Sequence, residues 1–471
     1  MFEKILGFIK RVIAVFTADE AKKISKDIKV SDKMANAINS WFQVFYNVPP
    51  WHGQTKGKAR FQTKMGAVLT AYMATLATNE ITVSAGTGTR ADFIVGQLTE
   101  FVIADMQETV QLAGIGGEVV LKPYVRRSSV MCEVVPAMRF YPTRIVGKVV
   151  EAAIFADYAK LHGLDVVRIE SHDLQPDGVH ITNKAFYKDS GGPVALTDVP
   201  EWADIAPEIH IGNVDIPLYA VIRMPYPNII DPASKLPVSM YANSMDTLAE
   251  MDRIYSEFLW EIHTGKRRQI FDSTAIKSTL PGTGLEYKDM ASDQYIALNM
   301  AGGAKLGAEG KPYDDYTPDM RVDAYQTAMD IQLRLLEMQC NISPGTFSFD
   351  IKTGQAKTAT EIISQDKTTY NTIKAIQERG MLQALKALVE IYDIYTSLYS
   401  LAPNGNIEAS VSFGDSIFED TATEFARRMI LQNAGNIRPE LNNAWYFGVD
   451  EKAALAMMSV KNDKKLFGEE A

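Results

Sequence analysis

A chain of 471 residues is too long for one hydrophobic core, so two or more domains are expected. Hydrophobic residues at 46% and charged residues at 23% describe a folded soluble protein rather than a disordered one. The net charge of −10 argues against a broad basic face that grips nucleic acid, though not against a surface along which nucleic acid slides.

Cys132 and Cys340 provide no disulfide framework and suit a reducing compartment. No apolar run approaches the length of a membrane span. At the N-terminus, Phe2, Ile5, Leu6, Ile9, Val12, Ile13 and Phe16 share one face of an amphipathic helix, and Lys10 and Arg11 interrupt any signal-peptide core. Such a helix docks on its own or a neighbouring subunit; a membrane-surface helix is the second reading. Residues 17–56 read as helical, then as loop around Pro49-Pro50-Trp51. Helices over 57–79 and 90–113 flank a short apolar run, Ile81 to Val83. Gly114-Ile115-Gly116-Gly117 ends the second of them. It is not a dinucleotide loop, because no strand precedes it and a strand follows.

From Glu118 to Ile222 the pattern changes to short alternating runs, at 118–125, 130–135, 148–157, 165–170, 180–187 and 219–222. Turns rich in Gly, Pro and Asp divide them, which predicts an antiparallel region in a fold of α+β type. Met224 to Pro237, with Pro225, Pro227 and Pro232 inside it, reads as a connector at a domain boundary. A helix over 239–263 follows, with Tyr241, Met245, Leu248, Tyr255, Phe258 and Ile262 as its apolar stripe. Asp246, Glu250, Asp252, Glu257 and Glu261 form its other face, read as solvated or channel-lining. Lys266, Arg267 and Arg268 at its end suit the negative pole of the helix dipole. Residues 271–318 are Gly-rich and weakly patterned, as a contact module between two helices would be.

The next helix spans 319–341, where Val322, Tyr325, Met329, Leu333, Leu336 and Cys340 recur three or four apart. Ile342-Ser343-Pro344-Gly345 stops it. A loop out to Lys357 leads to a capping box, Thr358-Ala359-Thr360-Glu361, and a helical pattern without proline until Pro403. About forty residues at 1.5 Å each make a rod roughly 60 Å long, with Gly380 a candidate kink. Ile407, Ala409, Val411 and Phe413 alternate as a strand, and Thr421-Ala422-Thr423-Glu424 caps the first of three short C-terminal helices.

No catalytic constellation emerges. Asp189-Ser190-Gly191-Gly192-Pro193 resembles the nucleophile segment of trypsin-like proteases, but the flanking His and Cys contexts are missing, so Ser190 reads as a turn residue. Gly310-Lys311 is followed by Pro312 and cannot open a phosphate-binding helix. His162, His172 and His180 do not form a zinc pattern. No cofactor or metal is expected, and the chain reads as a non-enzyme.

Three stretches, in order, resemble the portal proteins of tailed bacteriophages, in the long-tailed branch. They are Ser239-Met240-Tyr241-Ala242-Asn243-Ser244-Met245-Asp246 running to Lys266-Arg267-Arg268; Lys357-Thr358-Ala359-Thr360-Glu361-Ile362 with Tyr370 beyond; and Phe413-Gly414-Asp415-Ser416-Ile417 with Asp420. The resemblance implies a portal-type subunit: an α+β wing (1–237), a two-helix stem (238–268 and 319–341), a small mixed clip insert (269–318) and a tunnel loop (342–357). A long wing helix (358–402), a wing strand (403–420) and a helical crown with its tail (421–471) complete it. It further implies a ring, usually a dodecamer, at one capsid vertex of a virion assembled in the host cytoplasm. Double-stranded DNA would pass through during packaging and ejection. Terminase large subunit, head–tail connector, major capsid and scaffolding proteins would be its partners. Lys352 and Lys357 would be the basic groups of the tunnel loop, and Lys266, Arg267 and Arg268 would lie near the stem–clip junction. The rival readings are a serine hydrolase built on Ser190 and a cellular coiled-coil scaffold.

Overall fold

The computed structural model describes residues 28–51, 61–272, 295–298, 313–348, 359–414, 421–447 and 451–457. The N-terminal amphipathic stretch and the capping residue Thr358 lie outside them. The chain forms two compact units, Met1–Ser412 and Phe413–Ala471. Among the described residues no helix is long and apolar enough to cross a membrane.

Three helices and a short strand open the first unit: α1 (Asp32–Phe45), α2 (Met65–Ala77), β1 (Ile81–Ser84) and α3 (Thr89–Gly116). Ser31 caps α1 by accepting from the Met34 amide at 3.3 Å, and Met34, Ile38, Trp41 and Phe42 turn inward. The helix expected over 57–79 starts only at Met65. Residues 61–63 are committed elsewhere, since the Phe61 and Thr63 amides donate to Ser256 Oγ and Asp252 Oδ1. α3 stops where Gly117 takes φ +87°. A Cβ there would sit 2.8 Å from the Pro237 carbonyl oxygen, so only glycine allows this approach.

The sheets follow. β2 (Glu118–Arg126), β3 (Ser129–Pro136) and β10 (Ala220–Arg223) form an antiparallel sheet in the order β10-β2-β3. β4 (Phe140–Val146), β5 (Val149–Leu161), β6 (Leu164–Gln175), β7 (Gly178–Tyr187) and β8 (Pro193–Val194) form a second, with β9 (Glu208–Gly212) also on β7. The antiparallel expectation for 118–222 is met. Three strands absent from the sequence reading were hidden for physical reasons. β4 carries Pro142 and register irregularities between Pro142, Arg144 and Ile145, which break alternation. β8 is two residues long, and β9 is a short, mostly exposed edge.

Val120, Val135, Phe140, Phe155 and Tyr219 pack together in one cluster, with the Phe155 and Tyr219 rings 5.3 Å apart. Beside it lies a buried charge cluster. Glu170 accepts from Lys122 Nζ at 3.0 Å, meets Arg168 Nη1 at 3.0 Å and lies 2.7 Å from His172 Nε2 through its other oxygen. Burial alone would raise the Glu170 carboxyl; Lys122 foremost, then His172 and Arg168, reverse that and hold it well below the usual carboxylate range.

The proline-rich segment 224–237 lies inside the first unit rather than between units. Asn228 Nδ2 donates to the Leu236 carbonyl at 2.9 Å, Ser31 Oγ donates to Asp231 Oδ2 at 2.6 Å, and Leu236 is buried. Prolines here shape a packed crossing instead of a free linker.

The long helical pattern is realised as α6 (Ala359–Ala375), a π-helical turn (Ile376–Met381) and α7 (Leu382–Leu398). The irregularity falls at Gly380, where a Cβ would lie 2.6 Å from the Arg223 carbonyl oxygen. A widened turn thus lets the helix run hard against β10. Gln377 Nε2 donates to the Ala77 carbonyl at 3.1 Å from the same turn. Buried Arg90 at the start of α3 clamps the far end, donating to Asp393 Oδ1, the Asp393 carbonyl and Ser397 Oγ. β14 (Ser410–Phe413) pairs with β1. The second unit contains α8 (Thr421–Asn433), α9 (Pro439–Phe447) and α10 (Glu451–Met457). Arg428 lies over the Trp445 ring at 4.3 Å and Phe425 meets Tyr446 at 4.9 Å.

Candidate functional site

Two helices, α4 (Met245–Thr264) and α5 (Val322–Gln339), form an antiparallel hairpin. Thr247 Oγ1 donates to Gln339 Oε1 at 2.9 Å, the Phe258 and Tyr325 rings stand 5.6 Å apart, and Arg321 binds Glu261 at 2.6 Å. Residues low in α4 therefore meet residues late in α5, and the reverse holds at the other end. α4 begins later than its apolar spacing suggested, because Ser239 and Met240 bind the Gly114 carbonyl at 3.0 and 2.9 Å and Tyr241 donates to Trp41 O at 2.8 Å. A short 3-10 turn, Ala242–Ser244, then leads into the helix.

The hairpin changes character along its length. Its buried residues in α4 are Thr247, Leu248, Met251, Asp252 and Ile254; in α5 they are Asp330, Leu333, Leu336 and Glu337. Beyond Ile254 and before Asp330 no residue of either helix is buried. One end is rooted in the helices and loops of the body, and the other stands clear of it. The solvent side of α5 carries Ile331, Leu335 and Met338, 55%, 36% and 67% exposed, at spacings of four and three, an apolar stripe left uncovered among the described residues.

At the free end the chain makes a three-stranded sheet of β11 (Arg268–Asp272), β12 (Tyr295–Leu298) and β13 (Tyr313–Tyr316), with β11 in the centre. β11 pairs antiparallel with β13, Arg268 opposite Tyr316, so the excursion leaves and returns at one place. Lys266 and Arg267 are exposed in the joint between α4 and β11, and half-buried Arg268 opens the strand. All three lie past Gly265, whose amide donates to the Glu261 carbonyl at 2.6 Å and closes the helix.

The acidic face expected on α4 divides. Glu250 and Glu257 pair with Arg253 on the surface. Asp252, expected on that solvated face, is buried: it accepts from Trp51 Nε1 at 3.0 Å and from the Thr63 amide and hydroxyl at 2.8 Å. The segment 61–63, running along the helix, covers it.

After α5 the first half of the loop is held as firmly as the core. Glu337 is buried and accepts from the amides of Gly345, Phe347 and Ser348 and from Ser348 Oγ. Ser343 and Thr369 exchange three hydrogen bonds: the Ser343 amide donates to Thr369 Oγ1 at 2.8 Å, the Thr369 amide to Ser343 Oγ at 3.1 Å, and the hydroxyls meet at 2.9 Å. Phe347 packs edge-on against Tyr72 at 5.4 Å. Residues 342–348 therefore form a rigid root to the loop that the sequence predicts out to Lys357. Lys352 and Lys357 lie outside the described residues. Near the root, Cys340 lies 3.3 Å from Ser244 Oγ, and burial pushes its thiol up to about 11.

Ser190 is the turn residue expected of it. The Tyr187 amide donates to Gly192 O and the Gly191 amide to Tyr187 O, both at 2.8 Å, and Ser190 Oγ accepts from the Gly192 amide at 3.3 Å. His172 is spent in the charge cluster of the sheet, and His162 is exposed in the turn between β5 and β6. The fold also brings His180 to His210 and Asp177. Local pattern hides this group, because β9 supplies one member; the Asp177-x-x-His180 spacing is its local sign.

No curated protein matches the chain. Several solved structures are similar at low identity. A chain from the neck of a native GTA particle computed with C12 symmetry is 10% identical with a TM-score of 0.40, over 88% of this chain and 93% of that one. A chain from the virion of a native gene transfer agent particle is 10% identical at 0.44, with the same coverage. The neck of an empty GTA particle, computed with C6 symmetry, supplies another at 10% and 0.41, again with the same coverage. The family model described as phage portal protein, SPP1 Gp6-like, matches residues 107–465, which takes in the sheets, the hairpin and the long helix. The motif-level resemblance and this match agree, and the chain belongs to the SPP1 Gp6-like family of phage portal proteins, a family of structural proteins.

Proposed function

We propose that this protein is the subunit of a closed ring, usually dodecameric in the family, set at the unique vertex of a phage-type capsid. Double-stranded DNA passes through its centre during packaging and ejection. The observation that carries this reading is the half-rooted hairpin α4–α5, with its uncovered stripe of Ile331, Leu335 and Met338. An apolar stripe on a helix needs a partner, and the same stripe repeated on an identical neighbour provides one in cyclic symmetry. In this reading 238–268 and 319–341 are the stem and the insert 269–318 is the clip. Residues 1–237, 358–402 and 403–420 build the wing, and 421–471 the crown.

The stem's charged surface, with Glu250, Glu257 and Glu261, faces DNA without binding it tightly, because an acidic wall repels phosphates and lets them slide. Loop 342–357 forms the tunnel constriction. Its rigid root anchors a tip whose Lys352 and Lys357 touch phosphates weakly, and Lys266, Arg267 and Arg268 offer a second basic position at the stem–clip junction. Terminase large subunit docks on the ring during packaging and head–tail connector proteins bind it afterwards, with scaffolding and major capsid proteins as its other partners, in virions assembled in the host cytoplasm.

End-on electron micrographs and mass measurement test the ring. The expected result is a closed ring with a hole wide enough for a duplex, and a monodisperse monomer at micromolar concentration would overturn the proposal. Replacing Ile331, Leu335 and Met338 together with Ser should leave a folded chain that no longer closes. Lys352→Gln with Lys357→Gln should alter DNA translocation or retention while rings still form. Unchanged DNA handling would remove those lysines from the channel.

A further inference from the structure

The outer edge of the larger sheet holds a group that the portal role does not use. β7 and β9 run antiparallel with His180 directly opposite His210. The Asn183 amide donates to the Pro207 carbonyl at 2.7 Å in the same ladder. Bonded and non-bonded pairs alternate along such a ladder, which makes His180 and His210 a non-bonded pair, the closer kind. Their rings stack with centroids 4.4 Å apart and planes 23° from parallel. Asp177, in the turn that joins β6 to β7, reaches both. Its Oδ1 lies 3.0 Å from His180 Nε2 and its Oδ2 3.5 Å from His210 Nε2.

The approach is built into the backbone. Gly178 takes φ +134°, and a Cβ there would lie 2.2 Å from the Ile211 carbonyl oxygen. Only glycine brings the Asp177 turn this close to β9.

We propose that Asp177, His180 and His210 bind one divalent first-row transition ion, of which Zn²⁺ is the best match. One ligand atom from each lies within 4.8 Å of the other two. An ion about 2.1 Å from each ligand draws such atoms to roughly 3–4 Å apart, which small side-chain rotations achieve. Two imidazoles and one carboxylate suit zinc, nickel or copper, whereas calcium and magnesium want oxygen alone. The side chains are 59%, 34% and 49% exposed in that order, so water completes the coordination and the ion enters without opening the fold. Bound there, it ties the edge strand β9 to the β6–β7 hairpin. The site stands whether or not the chain closes into a ring.

The test uses tag-free, full-length protein stripped with chelator and titrated with ZnCl₂ by calorimetry, with Co²⁺ absorption as a second reading. The expected result is saturable uptake that weakens at least about tenfold in His180→Ala and in His210→Ala. The near-isosteric Asp177→Asn should weaken it too, in case an alanine variant misfolds by circular dichroism. His162→Ala, in an exposed turn, should bind as the parent does, and Mg²⁺ should give no signal. Absence of saturable zinc binding would overturn the proposal. So would equal binding in the parent and all three site variants, which would leave Asp177 as a plain hydrogen-bond partner of two histidines.

Discussion

Asp252 and Glu261 sit on one helix, nine residues apart, and live in different worlds. Asp252 is 6% exposed and holds Trp51 and Thr63 against the root of α4. Glu261 stands at the free end and binds across the hairpin, to Tyr325 and above all to Arg321, itself 71% exposed. Hydrogen bonds from Arg321 hold the Glu261 carboxyl down to about 2, yet water competes for the Arg321 side of the pair. The contrast separates two jobs in one element. The rooted half of α4–α5 is part of the body's folding unit, and the free half presents a surface. Changes in the first half should cost stability, and changes in the second should cost assembly.

The sharpest test of the rooted half is Glu337. Glu337→Ala leaves three backbone amides and a hydroxyl without their acceptor in a buried place. Each buried donor left without an acceptor costs about 1–3 kcal/mol, so losing several at once costs about 3–5 kcal/mol in all. A fall of that size in denaturation free energy, at fixed protein concentration, is expected, and loss of hydrogen-exchange protection at 345–348 should accompany it. Asp252→Ala should cost about 2–4 kcal/mol by the same reasoning. If either change is silent, the root is not rigid and the comparison fails.

Gly380→Ala should come next. The new methyl meets the Arg223 carbonyl oxygen at 2.6 Å, and backbone cannot step aside cheaply. Overpacking of this kind costs about 1–3 kcal/mol. An ordinary helix would gain stability from the same change, so even the sign is informative.

Acid should also separate the body from the free end. Glu170 is held below the usual carboxylate range in the folded chain, so the unfolded chain takes up its proton first as pH falls. Its contribution is complete above about pH 4.5 and is lost progressively below it. Stability measured from pH 7 downwards should therefore drop below that point, and Glu170→Gln should flatten the drop while lowering stability at pH 7.

The helices of the hairpin were legible because Leu248, Leu333 and Leu336 keep a helical period that any core imposes. The centres of β2, β3, β5, β6 and β7 were legible through alternation. Cover was not legible. Asp252 shares the polar face with Glu250 and Glu257, and only the arrival of residues 61–63 buries it. The Glu337 nest, the Ser343–Thr369 exchange and the His180–His210 pair each depend on register between distant segments, which local pattern does not encode. β4 was lost for a different reason, because a proline and a bulge erased its period.

The smallest effect belongs to the free end. Arg321 donates to both Glu261 oxygens, and its own amide donates to Glu261 as well. On geometry alone this resembles a strong clamp. Exposure of Arg321 decides otherwise: a long side chain standing mostly in water gives back in ordering and screening most of what it gains in attraction. Arg321→Gln should therefore leave the denaturation midpoint of the chain unchanged within error, in low and high salt alike. A large drop would mean that the free end helps hold the body together. With the midpoint unchanged, altered ring formation would place this end of the hairpin at an interface with a neighbouring subunit.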